Sequence, residues 1–144
     1  MNESPAVLQI VESTLAEREI RFDRRPGPVV HVPHGSAEVI IGFDDPAGGS
    51  VIRVSAVVLD DLGVGSDAEQ VVLKALNDRN RTVRFAKFVL GPDGDNITLE
   101  YDLLGDFLQP EELINAVTSI AQMADDHDDL LRQELGSGRR AIDR

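Results

Sequence analysis

Apolar residues recur along this chain with two periods, and the alternation between them lays out its elements. Val7, Leu8, Val11 and Leu15 follow Ser4-Pro5 at helical spacing. The Ser-Pro pair supplies a hydroxyl N-cap and a proline suited to the first helical position. The period then drops to two. Ile20 and Phe22 alternate with Arg21 and Asp23, and beyond Pro26-Gly27-Pro28 the run Val29 to Val32 predicts a short edge strand stopped by Pro33. Val39, Ile41 and Phe43 share one face of a further strand. Ile52, Val54, Ala56 and Val58 share one face of the next, with Arg53 and Ser55 on the reverse, and the turn cluster from Asp44 to Gly49 joins the two as a hairpin.

A second helix opens at Ser66, where Glu69 completes a capping box, and Ala68, Val71, Val72, Ala75 and Leu76 form its stripe. Asn77 or Asn80 can close it, because Asn tolerates the left-handed conformation. Thr82 to Leu90 predicts a strand apolar on both faces, with Val83, Phe85 and Val89 on one side and Ala86, Phe88 and Leu90 on the other. Such a strand is central or covered twice. The turn Gly91-Pro92-Asp93-Gly94-Asp95-Asn96 leads into the cleanest alternation in the chain, Ile97, Leu99, Tyr101 and Leu103 against Thr98, Glu100 and Asp102. Gln109-Pro110 opens the last helix, with Leu108 and Leu113 placed as a hydrophobic staple and Glu112 able to reach back to the cap. Leu113, Val117, Ile120, Ala124, His127 and Leu131 run along one stripe to about Leu135, and Gly136-Ser137-Gly138 ends it. The order is α-β-β-β-α-β-β-α: an α+β fold with an antiparallel sheet of about five strands and three helices packed on it. Residues 1–135 are expected to form one domain and residues 136–144 a disordered tail.

Composition narrows the chemistry. The 144 residues are 42% apolar with one Tyr and no Trp, so the core is built from Val, Leu, Ile and Ala. The absence of Cys removes disulfides, thiolate zinc sites and cysteine nucleophiles. A formal charge of −12 favours solubility and opposes binding to phosphate backbones. The start MNESPAVLQIVE lacks a signal peptide's basic and apolar regions, and no apolar run is long enough to cross a bilayer. The chain reads as cytoplasmic, with neither nucleic acid nor membrane as partner.

No catalytic constellation, cofactor site or metal site emerges. The acidic run Asp125, Asp126, Asp128 and Asp129 surrounds His127, but residues adjacent on a helix do not converge on one ion, and His127 lies on the apolar stripe. Asp93, Asp95 and Asn96 echo the start of a calcium loop, yet the Gly comes too early and the closing Glu is missing. His31 and His34 flank Pro33 without an evident third ligand, so a surface loop is the simpler reading. Neither a Gly-x-Ser-x-Gly elbow nor a phosphate loop is present. Arg79, Arg81, Arg84 and Lys87, interleaved with Phe85 and Phe88, form the densest basic group. Ion pairing with Glu100, Asp102 and the acidic hairpin accounts for them better than single-stranded nucleic acid does.

The informative feature is an apolar surplus. Ile40, Val57, Phe88, Val89 and Leu104 break the inside-outside alternation of their strands. If helices cover one face of the sheet, these side chains partly furnish the other, either as closed core or as a contact for another polypeptide. Ile40, Val57, Phe88 and Leu104 are therefore the expected partner-binding residues.

The run LNDRNRTVRFAKFVL, the acidic turn GPDGD and the run ITLEYDLLGDFLQPEELINAV together resemble the YbjN-like domain family, grouped with the type III secretion chaperone-like proteins. The likeness is clearest from about Val71 to Leu131. It implies an α-β-β-β-α-β-β-α domain, often dimeric, without cofactor or known catalytic residues, that binds peptides or proteins. Family members also carry the label of sensory-transduction regulators. The expected function is a non-enzymatic, chaperone-like domain for a protein or peptide partner. The alternatives are a dimeric regulator of signalling or stress response without a client peptide, and an enzyme of a kind the sequence does not reveal.

Overall fold

The computed structural model describes residues 4–27, 29–44, 50–63 and 66–140. Its elements are α1 (Ser4–Glu17), β1 (Asp23–Arg25), β2 (Val29–His34), β3 (Ala37–Asp44), β4 (Val51–Leu59), α2 (Ser66–Asn80), β5 (Lys87–Leu90), β6 (Ile97–Leu104) and α3 (Pro110–Leu135). The turn residues 45–49 and the tail from Ala141 lie outside the described residues, as do the side chains of Ser4, Pro5 and Ser66 expected as caps.

All six strands join one antiparallel sheet in the order β1-β2-β3-β4-β6-β5. The period-two pattern decides which face is buried. Val39, Ala56, Leu99 and Phe88 lie in one cross-strand row and are buried, as are Val30, Ile41, Val54, Ile52 and Ile97 on the same side. This inner face forms a single core with Val7, Leu8, Val11 and Leu15 of α1, Val72 and Leu76 of α2, and Leu113, Val117, Ile120 and Leu131 of α3. α3 crosses β4, β3 and β6, α1 packs beside it, and α2 packs against β5. The expected capping chemistry of α3 is present: the Gln109 N–H donates to Glu112 Oε1 at 2.9 Å, and Gly136, at φ 73°, donates to the Arg132 carbonyl at 2.9 Å.

The architecture matches the α+β expectation with six strands against about five anticipated; the first, expected from the Ile20–Asp23 alternation, lies instead at Asp23–Arg25, where it forms an exposed three-residue edge on β2. Pro33 does not stop β2; the strand continues to His34, pairing Pro33 with Glu38. β5 is half the expected length and begins only at Lys87, since Phe85 adopts φ 67° and turns the chain away from the sheet. Two further expectations are corrected. Phe88 does not belong to the outer surplus: it pairs with Leu99 on the inner face, is 3% exposed, and meets the His127 ring edge-on at 5.2 Å. The tail expected to be disordered from residue 136 is ordered as far as Arg140. Asp60 and Arg139 exchange backbone hydrogen bonds of 2.8 and 2.7 Å, and Arg139 also reaches Asp61 at 2.8 Å.

The outer edge of β5 is closed by a side chain. Asn80, at the end of α2, donates its amide to the Phe88 carbonyl at 3.0 Å and accepts the Phe88 N–H at 2.8 Å, so it occupies the place of a neighbouring strand. Lys87 Nζ donates to the Asn80 and Val83 carbonyls at 3.1 and 3.3 Å and ties the same turn down. An edge closed in this way cannot template another strand. Asn80→Ala leaves both Phe88 groups without their protein partner and is expected to lower unfolding stability by about 1–3 kcal/mol in urea titration.

Candidate functional site

The residues expected at the partner surface do not converge. Ile40 and Val57 lie half-buried on the outer face of the sheet, Leu104 lies 74% exposed on that face, and Phe88 is on the other side. Val57 pairs with Thr98 and Leu104 with Val51, so six residues of β4 separate them, roughly 20 Å at the strand rise. No helix covers the outer face among the described residues, yet the face is largely polar. Arg53 holds Asp102 through Nε–Oδ1 at 2.8 Å and Nη2–Oδ2 at 3.0 Å and approaches Glu100 at 3.6 Å; Arg25 approaches Glu38 at 3.7 Å. The Arg53 hydrogen bonds hold the Asp102 carboxyl below the usual carboxylate range and raise the guanidinium in turn. Ile40 stands among these pairs, and Val57 shares a cross-strand row on the same face with Thr98 and Val89.

The apolar surface gathers instead at the C-terminal half of β6. Phe107 is 95% exposed, Leu104 74% and Phe85 73%, the three most exposed large apolar side chains among the described residues. Phe85 and Phe107 adopt φ 67° and 61°, a conformation that bulky side chains rarely hold. The Phe85 ring stacks on Tyr101 with centroids 5.9 Å apart. Beside it a cavity of about 580 Å³ is lined by Tyr101 and Leu103 of β6, Ile114, Asn115 and Thr118 of α3, and the Arg18–Glu111 ion pair. That pair keeps the Glu111 carboxyl below its ordinary value through the Arg18 hydrogen bond.

Among the described residues, the same half of β6 has no strand on its outer side. The β5 register ends with Lys87 opposite Glu100, leaving Tyr101–Leu104 unpaired there. Alternate residues of an antiparallel strand turn their N–H and C=O to opposite neighbours. Gly105 donates to the Ser50 carbonyl at 3.0 Å on the β4 side, so Leu103 and Tyr101 also face β4, and the backbone groups of Asp102 and Leu104 face outward. β5 obeys the same parity: Phe88 faces its outer edge and is the residue that Asn80 satisfies. The sheet thus has one closed edge at β5 and, directly in line with it, an open one. Apolar side chains flank the open edge on both faces, Tyr101, Leu103 and Phe85 inward and Leu104 outward.

The histidines are not gathered into a ligand cluster among the described residues. His31 and His34 stand on β2, where a spacing of three puts them on opposite faces; His31 Nδ1 lies 3.1 Å from Glu38 Oε1. No cluster of three or more potential ligands occurs among the described residues. His127 is lowered by burial and by Arg79, in keeping with a packed ring. The basic group is divided: Arg79 pairs with Glu134, Lys87 binds carbonyls, and Arg81 and Arg84 are exposed.

One acidic pair is structural. Ser36, in the β2–β3 turn, places Oγ 2.5 Å from both Asp125 Oδ1 and Asp128 Oδ2. Burial pushes the Asp128 carboxyl up against the opposing Ser36 contact, whereas the Ser36 hydrogen bonds hold Asp125 down. A carboxyl raised on folding stabilises most below its unfolded pKa and loses that contribution as pH rises through the folded value. Asp128→Asn, measured against wild type by urea unfolding between pH 4 and 7, is expected to remove this decline and to gain relative to wild type as pH rises.

With this geometry in hand, a family model described as T3SS (YopN, CesT) and YbjN peptide-binding chaperone 1 matches residues 6–144. The chain belongs to this family. The family is described as one of peptide-binding chaperone domains. The crystal structure of YbjN from E. coli, described there as a candidate transcription regulator, superposes with a TM-score of 0.62 at 14% identity, over 86% of this chain and 92% of that one. At that identity the likeness concerns the fold. No curated protein sequence matches significantly. Among the described residues no helix is long and apolar enough to cross a membrane.

Proposed function

We propose that this member of the peptide-binding chaperone family is a non-enzymatic domain that holds an extended segment of a partner protein along the free half of β6. The observation behind this reading is the coincidence of outward-facing backbone groups at Asp102 and Leu104 with the exposed Phe85, Leu104 and Phe107. A segment added as a strand would gain main-chain hydrogen bonds there, and its alternate side chains would meet the cavity and Leu104. Leu104 thus remains a proposed contact. Ile40 and Val57 become peripheral ones on the outer face, and Phe88 acts only as core. The closed β5 edge supports the reading, because strand addition is blocked where it would be indiscriminate. The test is binding of the purified protein to an array of 15-residue peptides. Retention of extended apolar peptides by wild type, and their loss in a variant with a blocked β6 edge, supports the proposal. A clean dimer that binds no peptide would favour a regulator acting through its own self-association.

A further inference from the structure

We infer that the slot on β6 accepts the free C-terminal end of a partner chain, with an apolar penultimate residue. This rests on the peptide-binding reading above and adds the chemistry of the occupant.

The slot is short and closed at one end. Only Asp102 and Leu104 turn backbone groups outward, and beyond them the line of β5 begins with Phe85 and Ala86 at the level of Tyr101. Ala86 is fully buried, so no guest residue can replace it. A guest running antiparallel to β6, the more stable arrangement per residue, points its C-terminus at this block. There Arg84 is exposed and forms no ion pair among the described residues, and the Arg84 and Phe85 amides have no hydrogen-bond partner among them either. Most other arginines of this acidic protein are engaged: Arg18 with Glu111, Arg24 with Glu12, Arg25 with Glu38, Arg53 with Asp102 and Arg79 with Glu134. Arg84 directly precedes Phe85, whose ring stacks on Tyr101 at the closed end, so its exposed side chain is the nearest cation in sequence to a carboxylate arriving there and complements its charge.

Register assigns the last three guest positions. The terminal residue lies opposite Asp102, on the outer face beside the Arg53–Asp102 pair, and a small polar side chain suits it. The penultimate residue lies opposite Leu103 and points toward the inner face, where the cavity of about 580 Å³ has room for a bulky apolar side chain. The residue before it lies opposite Leu104 on the outer face and is apolar. A second copy of this chain fits less well: each copy has a formal charge of −12 and would set that charge against its like.

The experiment uses a fluorescein-labelled heptapeptide, Gly-Ser-Gly-Ser-Val-Leu-Thr, as the free acid and as the C-terminal amide, read by fluorescence anisotropy on the full chain. The free acid is expected to bind at least about tenfold more tightly, the range of one charge-assisted contact. In Arg84→Glu the two forms are expected to bind alike. Equal binding of acid and amide by wild type overturns the C-terminal assignment and leaves the peptide-binding reading standing. Binding of neither, while array peptides are retained, overturns it in the same way; failure of both experiments removes the peptide reading too. Displacement of the acid by a concentration-dependent dimer would show the slot to be a self-contact and overturn the inference.

Discussion

Phe88→Asp is expected to unfold the domain. The side chain is 3% exposed, packs between α2 and α3 against His127, and shares its cross-strand row with Leu99, Ala56 and Val39. Removing a buried aromatic ring costs about 3–5 kcal/mol. Placing a carboxylate in the space adds a desolvation cost that the half-buried, downshifted His127 is poorly placed to offset. The sum is comparable with the whole stability of a domain of this size, about 5–15 kcal/mol. Loss of the cooperative thermal transition in circular dichroism checks it. Val57→Ser, on the outer face, is expected to keep that transition within a few degrees, since a half-exposed position away from the core changes stability by less than about 1 kcal/mol. An intact Phe88→Asp fold would mean that the inner face is not sealed by the helices.

Leu104→Pro is expected to do the reverse: keep the fold and abolish peptide capture. Proline removes an N–H and fixes φ near −65°. At Leu104 the N–H faces outward and makes no ladder bond to β4, so the β4–β6 pairing can stay whole; prolines are tolerated at such edge positions. The substitution also removes the exposed leucine. A guest strand loses one main-chain hydrogen bond and one apolar contact, together worth about 2 kcal/mol or more, which lowers affinity by well over about tenfold. Titration of an array-selected peptide into both proteins gives the ratio. Binding unchanged in a folded Leu104→Pro variant places the peptide elsewhere, with the outer face around Ile40 and Val57 as the next surface to probe.

The strands with clean period-two alternation were legible in the sequence because a single physical variable, burial, controls them. Ile52, Val54, Ala56 and Val58, and Ile97 and Leu99, face the helices as their spacing requires. The last helix was equally legible, since Gln109, Glu112 and Gly136 perform the local chemistry that their residue types advertise. β5 was not. Its run of apolar residues offered two faces, and periodicity alone could not show that Phe85 leaves the strand at a positive φ while Phe88 enters the core. That one ambiguity misplaced Phe88 at the partner surface. The open half of β6 escaped for a related reason: an unpaired edge results from a mismatch in strand lengths, eight residues in β6 against four in β5, which no single strand's pattern records. A local sign did exist in Phe107, a large aromatic between Gly105-Asp106 and the helix start that fits neither period. Asn80 was legible as a helix terminator but not as a surrogate strand, because its partner is fixed by tertiary placement of α2 on β5.

Amide hydrogen exchange at Asp102 and Leu104, resolved by NMR with and without a bound peptide, tests the account most directly. In the free protein both amides should exchange quickly while those of Tyr101 and Leu103, bonded toward β4, remain protected. Addition of peptide should protect Asp102 and Leu104 and leave Phe88, already held by Asn80, unchanged. Saturating peptide with no gain in protection at these two amides, or with the gain confined to the outer face around Ile40 and Val57, would contradict strand addition on β6.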